Sequence, residues 1–377
     1  MRWEKVDIGT LVVLRQGFAI NKNTKHYISN EHTNLPLLRI ADMKDETKNV
    51  FVKDTIPKRF IARPDDIIYT RTGQVGLVFT KLFGVVHNNC FTVSPIDEKV
   101  LSRSYLYYAL KNKEFFEAAN LKATGAAQPD LPHGAFNTIP IYLPPIETQH
   151  RIADILSAYD DLIENNRKQI KLLEEAAQRL YKEWFVDLRF PGHEHTRIVD
   201  GIPEGWKNGC LSQIAEFKRG KTITKAQIKP GTIPVVAGGL EPAYYHNVAN
   251  TKAPVITISA SGANAGFTRM YHTDVFASDC SFIDKNTCAC LPFVYCFLIN
   301  HKSELDSLQK GSAQPHVYAK DINALQLCLP NSNLLNKFCD FSKRLFLKIG
   351  LLEHQNTDLT QARDHLLPKL MGGEMEM

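Results

Sequence analysis

The sequence predicts an α+β protein in which two similar α+β units are separated by two long helices that form an antiparallel coiled coil within the chain. Three observations predict it. The chain repeats itself: residues 124–147 read TGAAQPDLPHGAFNTIPIYLPPIE and residues 310–333 read KGSAQPHVYAKDINALQLCLPNSN. Gln128-Pro129 returns as Gln314-Pro315 and Leu143-Pro144 as Leu329-Pro330, both displaced by 186 residues, so no insertion separates the two pairs. Each copy then runs into a long segment with apolar residues at helical spacing. Ahead of each copy, short β-branched and aromatic runs alternate with Gly, Pro and Asn turns, the pattern of strands.

In chain order, the first unit spans residues 1–146. Its stretch from Trp3 to Gly17 recurs between Trp206 and Gly220, and Leu35-Pro36-Leu37-Leu38 resembles Ile233-Pro234-Val235-Val236. The segment DDIIYTRTGQVG at 65–76 resembles PVITISASGANAG at 254–266. Cys90 aligns with Cys280, and YLYYALKN at 105–112 matches FVYCFLIN at 293–300. The displacement falls from 203 to 186 along the way, so the copies differ in loop length, where binding variation is usually carried. Ile67–Thr70, Gly76–Phe79 and Val255–Ile258 read as strands of a bent, mixed sheet. Leu106, Leu110 and Phe116 predict a helix over 102–119, with a counterpart over 291–308.

The first long helix is expected over 147–190, after the helix-breaking Pro144-Pro145. Ile152, Leu156, Tyr159, Ile163, Asn166, Ile170, Leu173, Ala177, Leu180 and Trp184 follow the alternating four-and-three spacing of a heptad seam. The second unit spans 191–332, opening with a linker at 191–205. The second long helix covers 333–371, with a tail at 372–377. Its seam is Phe338, Ser342, Leu345, Ile349, Leu352, Asn356, Leu359, Arg363, Leu366 and Leu370. Pro368 is expected to stop or kink it. Helices of this length without internal caps have nothing to bury against alone, which points to mutual pairing. Asn166 and Asn356 occupy seam positions, where they either face each other and set the register or point to a wet edge.

Composition narrows the function. The chain has 377 residues, a net charge of +5, 44% hydrophobic and 23% charged residues, values of a globular protein that permit a nucleic-acid partner without requiring one. No secretory leader or run of about 18 apolar residues is present, which gives a cytoplasmic expectation. The eight cysteines form no metal-ligand spacing, and free thiols are expected for all of them.

The search for catalytic machinery comes out empty. Pro144-Pro145 lacks the polar and aromatic neighbours with which an adenine methyltransferase holds a flipped base. No nucleotide phosphate loop occurs; Gly73 to Gly76 and Gly262 to Gly266 read as turns after strands. Asp65-Asp66 reads as a turn and Asp160-Asp161 as a solvated helix face, rather than as nuclease carboxylates converging on a metal.

At the level of whole-chain order, the arrangement resembles the DNA-specificity subunit of type I restriction-modification systems. The residues that carry the resemblance are Gly125 to Pro129, then Ile139 to Gln149 with Ile152, Ala153 and Leu156. To these are added Trp184, Phe185 and Phe190, followed by GIPEGW at 201–206. The resemblance implies that each unit is a target recognition domain reading one half of a split DNA sequence, with the paired helices as spacer. It implies a non-enzymatic chain that recruits methyltransferase (modification) subunits, two of them, and a motor-nuclease (restriction) subunit. S-adenosylmethionine, ATP and Mg would then sit on those partners, with no cofactor, catalytic group or metal in this chain. The rivals are a coiled-coil protein-binding scaffold and a stand-alone DNA methyltransferase or nuclease.

Bases are distinguished by Arg, Lys, Asn, Gln and Ser/Thr at groove edges, while phosphates are held by Arg, Lys and backbone N–H groups. In the first unit the candidates are Lys22, Lys25 and His26, then Arg71, Thr72 and Gln74 beside the glycine turn, and His87, Asn88 and Asn89. In the second they are Arg219, Lys221, Thr222 and Lys225, then Tyr244, Tyr245, His246 and Asn247, and Ser259, Ser261 and Asn264. Each has an ordinary surface role as its alternative; the clusters at equivalent places in both units are what favour DNA. Helix pairing is assigned to Ile152, Leu156, Tyr159, Ile163, Asn166, Ile170, Leu173 and Leu180, and to Leu345, Ile349, Leu352, Asn356, Leu359 and Leu366. Trp184 and Phe185 either dock a partner or pack on the next domain.

Overall fold

A computed structural model describes residues 3–311 and 314–375. Ser312 and Ala313, in the second copy of the repeat, lie outside the described residues, as do the first two residues and the last two of the tail. The chain forms two compact units, Met1–Leu162 with Asp358–Met377, and Ile163–Thr357. Each contains one α+β body and the adjoining stretches of both long helices.

In the first unit the central sheet is antiparallel, ordered Val12–Gln16, Cys90–Pro95, Ile67–Thr70, Val78–Phe79. Cys90 pairs with Thr70 and Val93 with Ile67. All four residues of Ile67–Thr70 are buried, which is why this strand reads as continuously β-branched and aromatic rather than alternating. A smaller sheet places Leu37–Leu38 parallel to Gly84–Val86, and Lys5–Asp7 pairs with Pro140–Tyr142.

The second unit repeats this plan. Its central sheet is ordered Lys218–Arg219, Cys280–Asp284, Val255–Ser259, Thr268–Tyr271, with Cys280 opposite Ser259. Ile233–Val236 runs parallel to Phe276–Ala277, and Lys207–Cys210 pairs with Gln326–Leu329. In both units, the entry strand therefore pairs with the strand that leads into a long helix. Repeated sequence has produced repeated topology.

The long helices run Ile146–Tyr181 and Ser332–Met371. At 1.5 Å per residue each spans roughly 55–60 Å. Every described seam position is buried or half-buried. In the first unit Ile152, Ala153 and Leu156 share a core with Leu367, Leu370 and Met371. In the second, Ala177 and Tyr181 share one with Phe338, Phe346 and Ile349. In each unit an early stretch of one helix thus lies beside a late stretch of the other, which is antiparallel pairing. Each fully buried Leu or Ile contributes about 1.5–3 kcal/mol, so the seam supplies the burial that a lone amphipathic helix lacks.

Polar contacts fasten the helices. In the first unit, Asp160 accepts from Arg363 and from the Tyr108 hydroxyl, the latter at 2.9 Å. In the second, the Asn166 amide donates to Asn356 at 3.0 Å and to Gln355 at 3.1 Å. Gln149 is fully buried: it accepts from the Ser102 amide at 2.8 Å and donates to the carbonyls of Val100 and Pro144. The start of the first long helix is thereby tied to the helix Arg103–Lys111.

Several expectations need correction. The helix expected over 102–119 is two, Arg103–Lys111 and Lys113–Lys122, because Asn112 adopts an extended backbone and turns the chain so that Phe115 and Ala119 reach the core. Its counterpart breaks likewise, into Leu291–Asn300 and Lys302–Ser307. The helical run expected to reach 190 widens into a π turn at Lys182–Val186 and ends there; Leu188 at φ 56° reverses the chain and buries Phe190 against Trp206. Trp184 and Phe185 pack on Phe338, with Phe185 also against Phe293. Pro368 neither stops nor ends the second helix, which runs on to Met371; in the last turn its missing N–H interrupts little. Asp160 is a paired, half-buried carboxylate rather than a solvated one. Cys290 and Cys339 are joined in a disulfide with Cα atoms 5.6 Å apart, so six described cysteines are free, not eight. No linear spacing announces that pair, because it joins residues 49 apart.

Candidate nucleic-acid interface

The site in each unit begins where the buried central strand ends. Thr70 and Ser259 are followed by turns containing Gly73 and Gly76, and Gly262 and Gly266, all at φ between 82° and 98°. A side chain at Gly73 or Gly262 would meet nothing within 4 Å; the left-handed backbone itself is what calls for glycine there.

The repeated Gln-Pro segment closes onto this turn. The Gly73 amide donates to the Pro129 carbonyl at 2.8 Å, and the Gly262 amide to the Pro315 carbonyl at 3.0 Å. Thr72 bridges to Asp130 and Ser261 to His316. The strongest motif in the sequence is therefore a clamp that holds the turn carrying the candidate residues, in both copies.

The charges on the two clamped turns differ. In the first unit Arg71 donates from Nε and Nη2 to Asp130 at 3.1 and 2.6 Å, and from Nη1 to Gln16 Oε1 at 3.2 Å. Thr72 adds a hydroxyl to Asp130. The Arg71 guanidinium holds the Asp130 carboxyl below the usual carboxylate range. In the second unit Ala260 stands in the place of Arg71. The arginine there is Arg219, at the position of Gln16, and it pairs with Asp279, which also accepts from the Ser261 hydroxyl. Asp279 occupies the position of Asn89, since Ala260 N–H donates to Asp279 O as Arg71 N–H donates to Asn89 O.

The remaining candidates divide by exposure. Lys22, Lys25 and His26 are exposed on a loop held by Asn21 and Thr24. Lys221, Thr222 and Lys225 are exposed in the second unit, with the Lys221 amide bonded to the Ala277 carbonyl. Gln74, Tyr244, Tyr245 and Asn247 are exposed; Asn88, Asn89 and Asn264 are half-buried. His87 is half-buried, and burial together with the nearby Arg39 charge pushes its pKa down. Two candidates are corrected. His246 is buried, stacked edge-on to Phe276 and accepting from the Lys229 amide at 3.0 Å. Ser259 is a buried strand residue. Both are polar residue types, and the fold buries both.

Sequence reasoning missed Gln16, Asp130 and Asp279. The signal was available: Gln16 stands at the position of Arg219 and Asp130 follows the repeated Gln-Pro. Among the described residues, no three His, Cys, Asp or Glu side chains converge as a metal site, and no helix is long and apolar enough to cross a membrane.

Comparison with known proteins agrees with this organisation. The type I restriction modification DNA specificity domain matches residues 1–175 and 203–361. The chain is 28% identical over 343 residues to the type I restriction enzyme MjaIX specificity subunit of Methanocaldococcus jannaschii, covering 82% of this chain and 78% of that one. It is 31% identical over 225 residues to the MjaVIII specificity subunit of the same organism, covering 58% of this chain and 50% of that one. The crystal structure of a type I restriction-modification S subunit from M. genitalium superposes with a TM-score of 0.63 at 21% identity, covering 100% of this chain and 97% of that one. The chain belongs to the type I restriction modification DNA specificity family, as a specificity subunit with DNA-recognition domains.

Proposed function

We propose that this chain reads a two-part DNA target, each unit taking one half, with the unread gap between the halves set by the paired helices. The observation that carries the reading is the clamped glycine turn. The same backbone device recurs in both units and presents different side chains in each, as two readers of different sequences require. The polar pins at Asn166–Asn356 and Asp160–Arg363 support a fixed register for the helices.

In this reading the chain is not itself catalytic. It would recruit two modification subunits that supply S-adenosylmethionine chemistry and a restriction subunit that supplies ATP- and Mg-dependent work, all in the cytoplasm. The exposed lysines of the two loops would hold phosphates, giving affinity that falls steeply with salt. Mapping methylated adenines on DNA exposed to the complex of this chain with its modification subunits tests the reading. A bipartite motif is expected. Inserting one heptad into each long helix at matched positions should lengthen the unread gap and leave both half-sites unchanged. An altered half-site, or a continuous motif, defeats it.

A further inference from the structure

We propose that Arg71 and Arg219 are the base-reading, specificity-determining arginines of the two units, each aimed by an aspartate, Asp130 and Asp279, and each contacting a guanine in its own half of the target. The proposal rests on the DNA reading above and deepens it.

Consider what each arginine has left to offer. Arg71 has one edge filled by the Asp130 carboxylate and a third donor held by Gln16. One N–H on Nη1 and one on Nη2 have no partner among the described residues, and the side chain is 21% exposed. A planar guanidinium with one edge clamped and a donor still open on each terminal nitrogen has two N–H groups to offer the paired O6 and N7 acceptors of guanine in the major groove. The clamp removes rotamer freedom before binding, which lowers the entropy cost of contact. Arg219 is held through Nη2 by Asp279 and is 49% exposed.

The aspartates argue against a phosphate role. A carboxylate within hydrogen-bonding distance cancels the arginine charge that would draw a phosphate and adds repulsion of its own. A neutral base edge suffers no such repulsion, and it gains from the fixed fork. Phosphate attraction is left to unclamped side chains on the loops, such as Lys22, Lys25, Lys221 and Lys225.

The pair has also moved between copies. At equivalent positions stand Gln16 and Arg219, Arg71 and Ala260, Asn89 and Asp279, and Asp130 and His316. A brace required by the fold would keep its partners in both copies. Here the arginine–aspartate pair is rebuilt beside the clamped turn, with Arg219 on the strand Lys218–Arg219, Asp279 just ahead of Cys280–Asp284, and the turn's Ser261 donating to Asp279, which shifts the reading arginine across the sheet. Two units of one topology would thereby place guanine contacts at different positions of their half-sites.

The test is selection from a randomised duplex library by the full-length chain, unmodified and as R71Q, R71K, R219Q, D130N and D279N, with melting curves confirming that each folds. R71Q should relax a single G·C position in one half-site, with discrimination falling about ten- to hundred-fold, and leave the other half-site intact. R219Q should do the same in the other half. R71K keeps the charge but not the fork, and should lose the guanine preference as R71Q does. D130N and D279N should weaken preference at the same positions as their arginines. Uniform loss of affinity across all sequences, full selectivity in R71K, or relaxed positions that are not G·C would overturn the assignment. Failure of the unmodified chain to select any motif would instead strike the DNA reading on which it rests.

Discussion

Asn166 donates its buried side-chain amide to the Asn356 carbonyl oxygen at 3.0 Å, joining the two long helices within the second unit. A polar pair at an apolar seam sacrifices some stability and disfavours slipped alignments, because any other register leaves an amide without a partner.

Replacing Asn166 by Leu should therefore destabilise the second unit by about 1–2 kcal/mol, since the carbonyls of Asn356 and Gln355 lose their donor. Replacing both Asn166 and Asn356 by Leu should recover that loss. Thermal denaturation of the two variants decides the matter: equal melting temperatures for the single and double replacements would show that the pair is not coupled.

Asp160 is shared by Tyr108 and Arg363 in the first unit. Asp160→Ala should cost about 1–3 kcal/mol, because the Tyr108 hydroxyl loses its acceptor and the half-buried Arg363 loses one of its two carboxylate partners, keeping Asp364. Urea unfolding measures it. A loss under about 0.5 kcal/mol, as for an exposed residue, would mean the carboxylate is in effect solvated.

Gln149 makes three hydrogen bonds from a fully buried position. Gln149→Leu keeps the volume and orphans the Ser102 amide and two carbonyls, so a loss of about 2–4 kcal/mol is expected. Hydrogen exchange should show the Ser102 amide exchanging faster. An unchanged exchange rate there would refute the staple.

Glu174 has its carboxyl pushed upward by burial and by the neighbouring Glu353 charge, opposed by His272 and Arg269. A raised folded-state pKa means the native chain binds the proton more tightly than the unfolded one, so stability from this group falls as pH rises from the ordinary value of 4.5 through the folded value. Glu174→Gln should raise the melting temperature at pH 7, with the gain shrinking as pH falls through the folded value and gone below pH 4.5. A gain that is the same at both pH values would point to packing instead.

Chain purified without reductant should show six alkylatable thiols after denaturation, with Cys290 and Cys339 recovered in one linked peptide. Closing a loop of 49 residues is worth about 4 kcal/mol in the chain-entropy account, so Cys339→Ser should lower the melting temperature under those conditions. Eight reactive thiols would restore the original expectation.

Much of the architecture was legible because repetition and periodicity are properties of residue order. The Gln-Pro copies and the apolar spacing from Ile152 to Leu180 announced two like units and long paired helices. Less was legible at the candidate interface. Ser259 and His246 share residue type with real surface readers, and only strand orientation turned them inward. Asn112 was hidden inside an apolar helical pattern, although it breaks the helix.

By itself the sequence determined that this chain holds two copies of one fold and two rods with a matching seam, because side chains at fixed intervals share a face whatever lies elsewhere. Only the tertiary structure decided that Arg71 meets Asp130 while Arg219 meets Asp279, and that Cys290 reaches Cys339. Those meetings join residues 49 to 60 apart in the chain. They depend on strand register and loop closure, which local pattern does not encode.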